Sequence, residues 1–174
     1  MKSKRRSLFT ALSFLLMLAL VACSGRLFTY QGVTAKPENR IALRENGPHE
    51  GVWKTRDLSI SYEHSMVGSE LEIAGVVEFA QYLRTGYNTL RKFSLAVNYL
   101  DPDGIVLDTR PILTQAQRPW ILLKAVSFKT RFDLPAETAA IAFSYRGQAG
   151  DEGGGGGPMD RHGEGVSWDF WQGP

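Results

Sequence analysis

The chain has 174 residues, with 20 lysines and arginines against 18 aspartates and glutamates. Four of the basic residues lie in the first 22 residues, which leaves 16 basic and 18 acidic residues, a formal charge of −2, over the other 152. Because nucleic acid requires a basic face, this near-neutral body predicts no nucleic-acid partner. The single cysteine excludes an intramolecular disulfide, so an ordinary hydrophobic core must stabilise the body.

The first 22 residues have the features of a secretory signal. Four basic residues within residues 2–6 precede a run over residues 8–22 that is apolar apart from Thr10 and Ser13. A transmembrane helix needs about 20 apolar residues, so this run is too short to span a bilayer comfortably. Residues 1–22 are therefore predicted to be a signal peptide that is cleaved.

Cys23 closes the stretch Leu20-Val21-Ala22-Cys23, which resembles the lipobox of bacterial lipoproteins. In that family the thiol is acylated, a lipoprotein signal peptidase cuts before the cysteine, and acyltransferases usually modify the new amino terminus as well. The resemblance implies a chain anchored in the lipid bilayer through acylated Cys23, with those enzymes as partners during maturation.

Ser24 stands where an aspartate would resemble the signal for retention at the inner membrane. The expected location is therefore the cell envelope, at the outer membrane. An ordinary signal peptide cut after Ala22 and an uncleaved anchor are the alternatives.

Residues 23–50 are predicted to be a lipidated N-terminus and flexible tether, because their apolar residues follow no lasting period. Such a polar stretch cannot bury enough apolar surface to offset its ordering entropy. A partner-binding peptide is the functional alternative. The domain is expected over residues 51–174, with a glycine-rich loop at residues 150–165.

From Val52 onward apolar and polar residues alternate, which is the period of a β-strand with one buried face. Gly75 falls on an apolar face, where a missing side chain often marks a bulge or the close approach of another backbone. The residues at 81–91 allow a short helix or a loop, and a single helical turn is the prediction. The alternating runs are Leu58–Glu63, Glu70–Ala80, Lys92–Tyr99, Ile105–Leu107, Val126–Asp133, Ala140–Arg146 and Val166–Trp171.

About seven strands without recurrent helices predict an all-β fold, a two-sheet antiparallel sandwich. The order of strands resembles immunoglobulin-like modules of bacterial envelope lipoproteins. The landmarks are the turn Asp101–Gly104, the long strand Val126–Phe132 and the corner Leu134-Pro135. The resemblance implies no activity. The last run is expected to pair with Ala140–Arg146, which makes the glycine tract a long hairpin loop.

Residue types that carry catalysis are scattered in this sequence. His49, His64 and His162 are expected in a linker, a turn and the glycine-rich loop. The serines lack the Gly-x-Ser-x-Gly elbow of many hydrolases. Glu70 and Glu72 share one strand face and are expected to be solvated, since glycosidases place two carboxylates across a cleft. No catalytic residue is predicted.

Asp160, His162 and Glu164 offer oxygen and imidazole ligands within the glycine-rich loop. Ordering flexible glycines would make a metal site there costly, so a solvated loop is the prediction. The sequence thus predicts neither a metal nor a cofactor.

Aromatic residues give the better binding hypothesis, because exposed rings at the end of a sandwich can contact a protein or a sugar. Tyr82, Tyr87, Trp120 and Trp171 are the candidates. Trp53 has no assignment. Most other aromatic residues fall on apolar faces and are expected in the core: Phe79, Phe93, Phe128, Phe132, Phe143, Trp168 and Phe170.

Two functions of different class follow from these observations. The favoured one is a non-enzymatic, membrane-anchored envelope lipoprotein that binds an unidentified envelope protein or polymer through the loops of its sandwich. The alternative is an envelope hydrolase whose site forms between distant loops.

Overall fold

Two antiparallel β-sheets form the body of the chain. The computed structural model describes residues 29–45, 47–87, 89–115, 120–121, 124–150 and 167–174. A 3-10 turn covers Pro37–Asn39, and one helix, α1, covers Gln81–Gly86. The strands are β1 (Ile41–Ala42), β2 (His49–Lys54), β3 (Leu58–Val67), β4 (Glu70–Phe79), β5 (Thr89–Leu100), β6 (Val106–Gln115), β7 (Trp120–Ile121), β8 (Val126–Asp133), β9 (Ala140–Gly150) and β10 (Ser167–Gln172).

The strands are ordered β2-β3-β4-β8 in a four-stranded sheet and β1-β9-β5-β6 in a six-stranded sheet, in which β10 also pairs with β9 and β7 with β5. Every pairing is antiparallel. The predicted all-β, two-sheet sandwich is confirmed. The described residues hold ten strands rather than about seven. The difference arises partly because β1 and β7 have two residues each, too few to show alternation.

The hairpin of β3 and β4 shows how alternation builds the core. Ile60 pairs with Val77, and both side chains are fully buried between the sheets. Gly75 lies on the same inner face without a bulge in the register. A Cβ atom at Gly75 would stand 2.6 Å from the Ser61 carbonyl oxygen and 2.7 Å from the Phe128 ring. The glycine therefore makes room for a close approach, as predicted.

The outer face of this hairpin carries ion pairs with β8. The Glu72 carboxylate accepts a hydrogen bond from Arg131 at 2.7 Å and lies 2.6 Å from the Lys129 ammonium. These two partners hold the pKa of Glu72 below its usual range. Basic residues on the neighbouring strand thus balance the predicted acidic row. Each of these ion pairs contributes little to stability, because the site is exposed.

Residues 29–42 do not form part of a tether, in contrast to the expectation for residues 23–50. Ala35 is 1 % exposed and packs with Leu100, Val106 and Ala142 on the outer face of the six-stranded sheet. The polar composition of the segment suggested a tether. The sheet supplies most of the apolar contact surface, so a few well-placed residues of the segment are enough to hold it.

Backbone hydrogen bonds fix the same segment. The Gly32 amide donates to Val106 at 2.9 Å, and the Ala35 amide donates to Gly104 at 2.8 Å. The Arg40 guanidinium donates twice to the Ala35 carbonyl, at 3.0 and 2.8 Å. The sandwich therefore includes residues that precede position 51.

The covered face also contains a polar network. Asn98, on the face expected to meet solvent, is fully buried. Its amide donates to the Ala142 carbonyl at 3.1 Å and to the Ser144 hydroxyl at 2.9 Å, and its carbonyl accepts from Thr109 at 2.8 Å. These bonds satisfy a buried amide that would otherwise destabilise the fold.

The last strand belongs to the core. β10 pairs with β9 as predicted, although its partners run from Tyr145 to Gly150 and so lie farther along the strand than expected. Phe170 is 3 % exposed and contacts the rings of Phe79, Phe93 and Tyr145. A Cβ atom at Gly147 would stand 2.1 Å from the Phe170 ring, so the glycine leaves the space that this ring fills.

Replacing Phe170 with alanine should lower the free energy of unfolding by about 3–5 kcal/mol, because the substitution removes a buried ring. Trp171→Ala is the matched control, since its side chain is 69 % exposed. We expect this control to change stability by no more than about 0.5 kcal/mol. Urea unfolding of the chain without its first 22 residues measures both values. Equal losses would contradict the placement of Phe170 in the core.

Candidate functional site

The candidate site is built on the turn between β2 and β3, where a carboxylate is buried. Asp57 is 8 % exposed. Its backbone amide donates to the Thr55 hydroxyl at 3.2 Å, and its carbonyl accepts from the Ala80 amide at 2.7 Å. The turn is thereby joined to the start of α1, and the carboxylate points into the end of the sandwich.

Two tyrosine hydroxyls satisfy this carboxylate. Tyr145, on β9, donates to one Asp57 oxygen at 2.7 Å, and Tyr82, on α1, donates to the other. The Tyr145 hydroxyl also lies 2.9 Å from that of Thr55. A strand of the six-stranded sheet, the helix and a turn of the four-stranded sheet therefore meet at one buried charge.

The Tyr82 ring forms the outward side of this cluster. It is 36 % exposed, and the guanidinium carbon of the exposed Arg56 lies 5.5 Å from its centroid. Trp168, the second residue of β10, is 43 % exposed and lies at the same end of the sandwich, since it pairs with Ala149. This end, called here the helix end, carries two exposed aromatic rings and an arginine.

The hydroxyl groups keep their protons at neutral pH. Burial, together with the hydrogen bond to Asp57, raises the pKa of Tyr82 to about 12. Burial likewise raises the pKa of Tyr145. Both tyrosines therefore remain hydrogen-bond donors to Asp57. The bond from the Tyr82 hydroxyl fixes the orientation of its ring.

The other predicted binding residues do not join this cluster. Tyr87 is partly buried against the core, so the prediction of a binding role for it is not supported by exposure. The backbone of Trp120 pairs with Leu90, and its side chain lies outside the described residues. Trp171 is exposed on the outer face of the six-stranded sheet. Trp168 was expected in the core and lies at its border, because it pairs near the end of β9.

Several predicted residues lie in parts of the chain that the structure does not describe. They are Cys23 and the three polar residues Asp160, His162 and Glu164. Within the described ranges no group of three or more His, Cys, Asp or Glu residues could hold a metal ion. Within the same ranges, no helix is both long and apolar enough to cross a membrane.

Two histidines are placed differently from the sequence prediction. His49 and His64 lie on neighbouring strands rather than in a linker and a turn, and their ring centroids are 5.5 Å apart. The turn after β3 falls at Gly68, where φ is +63°.

His64 is 3 % exposed, and neither of its ring nitrogens has a hydrogen-bond partner among the described residues. Burial, and then the proximity of His49 and Arg44, lowers the pKa of His64.

A hollow of about 680 Å³ lies along the four-stranded sheet. Val52, Ser61 and Val76 line it on the outer face, with Glu50 and Glu63 beside them. Val52 is 68 % exposed. The sequence reasoning missed this surface, although the small and apolar outward residues of these strands are its signal.

The geometry defines an all-β antiparallel sandwich with a buried Asp57 carboxylate held by two tyrosine hydroxyls at the helix end. Comparison with known protein families, with curated proteins and with solved structures gives no match to this chain. The function therefore has to follow from the residues of the chain itself.

The phenol of Tyr82 should titrate near pH 12 in the folded chain, which is above the ordinary tyrosine value of about 10. The measurement is the near-ultraviolet phenolate absorbance of the wild type minus that of Tyr82→Phe. The same difference in the urea-unfolded chain should titrate near pH 10 and is the control. Because the folded state holds this proton more tightly, stability should fall as the pH rises between these two values. A folded-state midpoint near pH 10 would contradict the hydrogen bond to Asp57.

Acid should destabilise the domain through His64. Its folded-state pKa lies below the ordinary 6.5, so the unfolded chain binds the proton first as the pH falls. The stability that the neutral His64 side chain contributes is thus present above about pH 6.5 and is lost as the pH falls below that value. We expect the urea midpoint of His64→Leu to fall less than that of the wild type between about pH 7 and pH 5. Parallel pH profiles would show that His64 is not the group responsible.

Proposed function

We propose that this protein is a non-enzymatic lipoprotein of the cell envelope. Acylated Cys23 anchors it to the bilayer, at the outer membrane. The sandwich binds another envelope protein, or an envelope polymer, through the helix end. In this proposal the lipid fixes the location and the exposed side chains of the helix end select the partner.

The proposed anchor is supported by the sequence around Cys23. The basic start, the apolar run and the stretch Leu20-Val21-Ala22-Cys23 occur together and in the order of a lipoprotein signal. Each buried methylene contributes about 0.8 kcal/mol, so one acyl chain binds marginally whereas two or three bind stably. The thiol of Cys23 and the amino terminus created by cleavage provide positions for that number of chains.

The single observation that carries the binding role is the fixed ring of Tyr82. An exposed aromatic side chain loses rotamer freedom when it binds, and a ring that is already held loses less. The Asp57 carboxylate holds the Tyr82 hydroxyl, and Arg56 lies over the ring. Tyrosine and arginine are enriched among the residues that dominate binding energies. The helix end therefore has the composition and the rigidity of a binding surface.

Tyr82→Ala should reduce crosslinking to the partner by at least about tenfold in intact cells, since a dominant interface residue contributes about 2 kcal/mol or more. The wild type is the control. Tyr82→Phe keeps the ring but removes the hydroxyl that Asp57 holds, so we expect it to lose less crosslinking than Tyr82→Ala. Crosslinked products are identified and quantified by mass spectrometry, and the melting temperatures of both variants are compared. If Tyr82→Ala is folded and keeps every crosslink, the helix end is not the binding surface.

The anchor is tested separately with Cys23→Ser. This variant lacks the thiol that receives the lipid, so we expect it to leave the membrane fraction while its folded domain is unchanged. The wild type, fractionated in the same way, is the control. A variant that stays with the membranes and keeps all crosslinks would show that lipid attachment does not organise the function.

A further inference from the structure

The covalent chain limits how far the sandwich can stand from the lipid. Thr29, the first described residue, follows Cys23 by six residues. An extended chain spans at most about 3.6 Å per residue, so Thr29 lies within about 22 Å of an acylated Cys23. A long tether over residues 23–50 would have allowed any orientation. The packed segment restricts the orientation because its start is fixed on one face of the domain.

That start lies on the outer face of the six-stranded sheet. The Tyr30 amide donates to the Thr109 hydroxyl of β6 at 3.4 Å, and the Val33 amide donates to the Tyr30 carbonyl at 2.9 Å. A Cβ atom at Gly173 would lie 3.7 Å from the Tyr30 ring, so the described start and end of the chain meet there. The lipid is therefore delivered to this face.

We propose that the outer face of the six-stranded sheet is a membrane-docking surface, whose Val33 and Trp171 side chains enter the lipid interface. The proposal rests on the lipid anchor at Cys23 proposed above. Its ligand is the bilayer surface itself. Trp171, predicted from the sequence to bind a partner, is assigned in this proposal to the lipid.

One aliphatic side chain is exposed beside the start of the domain. Val33 is 47 % exposed and lies opposite Val106, whose amide donates to the Val33 carbonyl at 2.9 Å, so both side chains point to the outer face of the six-stranded sheet. Ile105, the neighbour of Val106 in the chain, pairs with Thr34 and points the other way. Val33 lies on a fixed part of the backbone and can enter lipid without an ordering cost for the chain.

Trp171 lies on the same face of the sheet. On β10 its neighbour Phe170 points into the core, so Trp171 points outward, where it is 69 % exposed. It precedes by two residues the glycine that lies against Tyr30. Tryptophan is enriched where membranes meet water, since its ring is apolar and its N–H is polar. An aromatic ring and an aliphatic side chain thus lie on the face to which the lipid is attached.

The segment carries little net charge. Of its three charged residues, Lys36 and Glu38 offset each other, and the guanidinium of the half-buried Arg40 donates to the Ala35 carbonyl. One net positive charge is far below the clusters of about 4–8 basic residues that bind anionic headgroups, so the proposed contact is apolar. Vesicles of zwitterionic phosphatidylcholine should be sufficient for docking.

The experiment places a fluorophore on each face of the anchored protein. The full chain is produced in bacteria as Val33→Cys or Val52→Cys, and the introduced thiol is labelled with the dye NBD. Only this thiol reacts, because acylation blocks the thiol of Cys23. Val52 is the matched control, since it is the same residue type, is 68 % exposed and lies on the outer face of the other sheet. Stacked sheets are about 10 Å apart, which separates the two positions in depth.

The labelled proteins are incorporated into phosphatidylcholine vesicles containing nitroxide lipids and are first floated on a density gradient. We expect both to float. Quenching at position 33 should exceed that at position 52 by at least about twofold, because interfacial apolar residues reach about 5–10 Å into the headgroup region. Adding Trp171→Ala to the Val33→Cys protein should reduce its quenching without changing flotation or circular dichroism.

The outcomes separate the two proposals. Proteins that float with equal quenching at both positions overturn the docking surface and leave the anchor in place. Proteins that do not float overturn the anchor and, with it, the docking surface. Quenching at position 33 that is unchanged by the added Trp171→Ala substitution, in protein that still floats and folds, overturns the role of Trp171.

Discussion

Strand β9 is the element on which the rest of the structure depends. It pairs with β5 on one side, and with both β1 and β10 on the other. Its inward residues Phe143 and Tyr145 fill the core, while its outward Ala142 meets the segment that begins the domain. Because side chains alternate across a strand, one sequence of 11 residues supplies both layers of contacts. Disturbing β9 would therefore affect the core, the covered outer face and the helix end together.

The helix end illustrates how a buried charge can be used without an ion pair in the core. Removing a carboxylate from water is costly unless hydrogen bonds replace the lost hydration. Tyr82 and Tyr145 each donate to one oxygen of Asp57, and the Arg56 guanidinium nitrogen lies 3.9 Å away with its side chain in solvent. The same bonds connect the two sheets and orient an exposed ring. The Asp57 carboxylate thus stabilises the end of the sandwich and also positions the exposed Tyr82 ring on its surface.

Alternation made much of the fold predictable, because a half-buried strand leaves a period of two in the sequence. The segments around Ile60, Val97 and Phe143 were placed on strands with their buried faces correct. The segment around Ala35 was missed, since the face that covers it comes from distant strands and leaves no local pattern. His49 and His64 were missed for a related reason: their cross-strand pairing depends on register, which a single strand does not encode.

At the site, the exposure of Tyr82 and Trp171 agreed with the sequence prediction, but the partner of the Tyr82 hydroxyl did not appear in it. Asp57 lies 25 residues away and reads as an ordinary polar residue before a strand. Tyr82 and Tyr87 have similar sequence contexts, and only the structure distinguishes an exposed ring from a partly buried one. The short helix directs Tyr82 outward, whereas Tyr87, the residue after the helix, packs against the core. Long-range contacts thus decide which aromatic rings remain free to bind. They also hold the segment that begins at Thr29 against one face of the six-stranded sheet, so an anchor at Cys23, as proposed above, would give the sandwich a defined orientation.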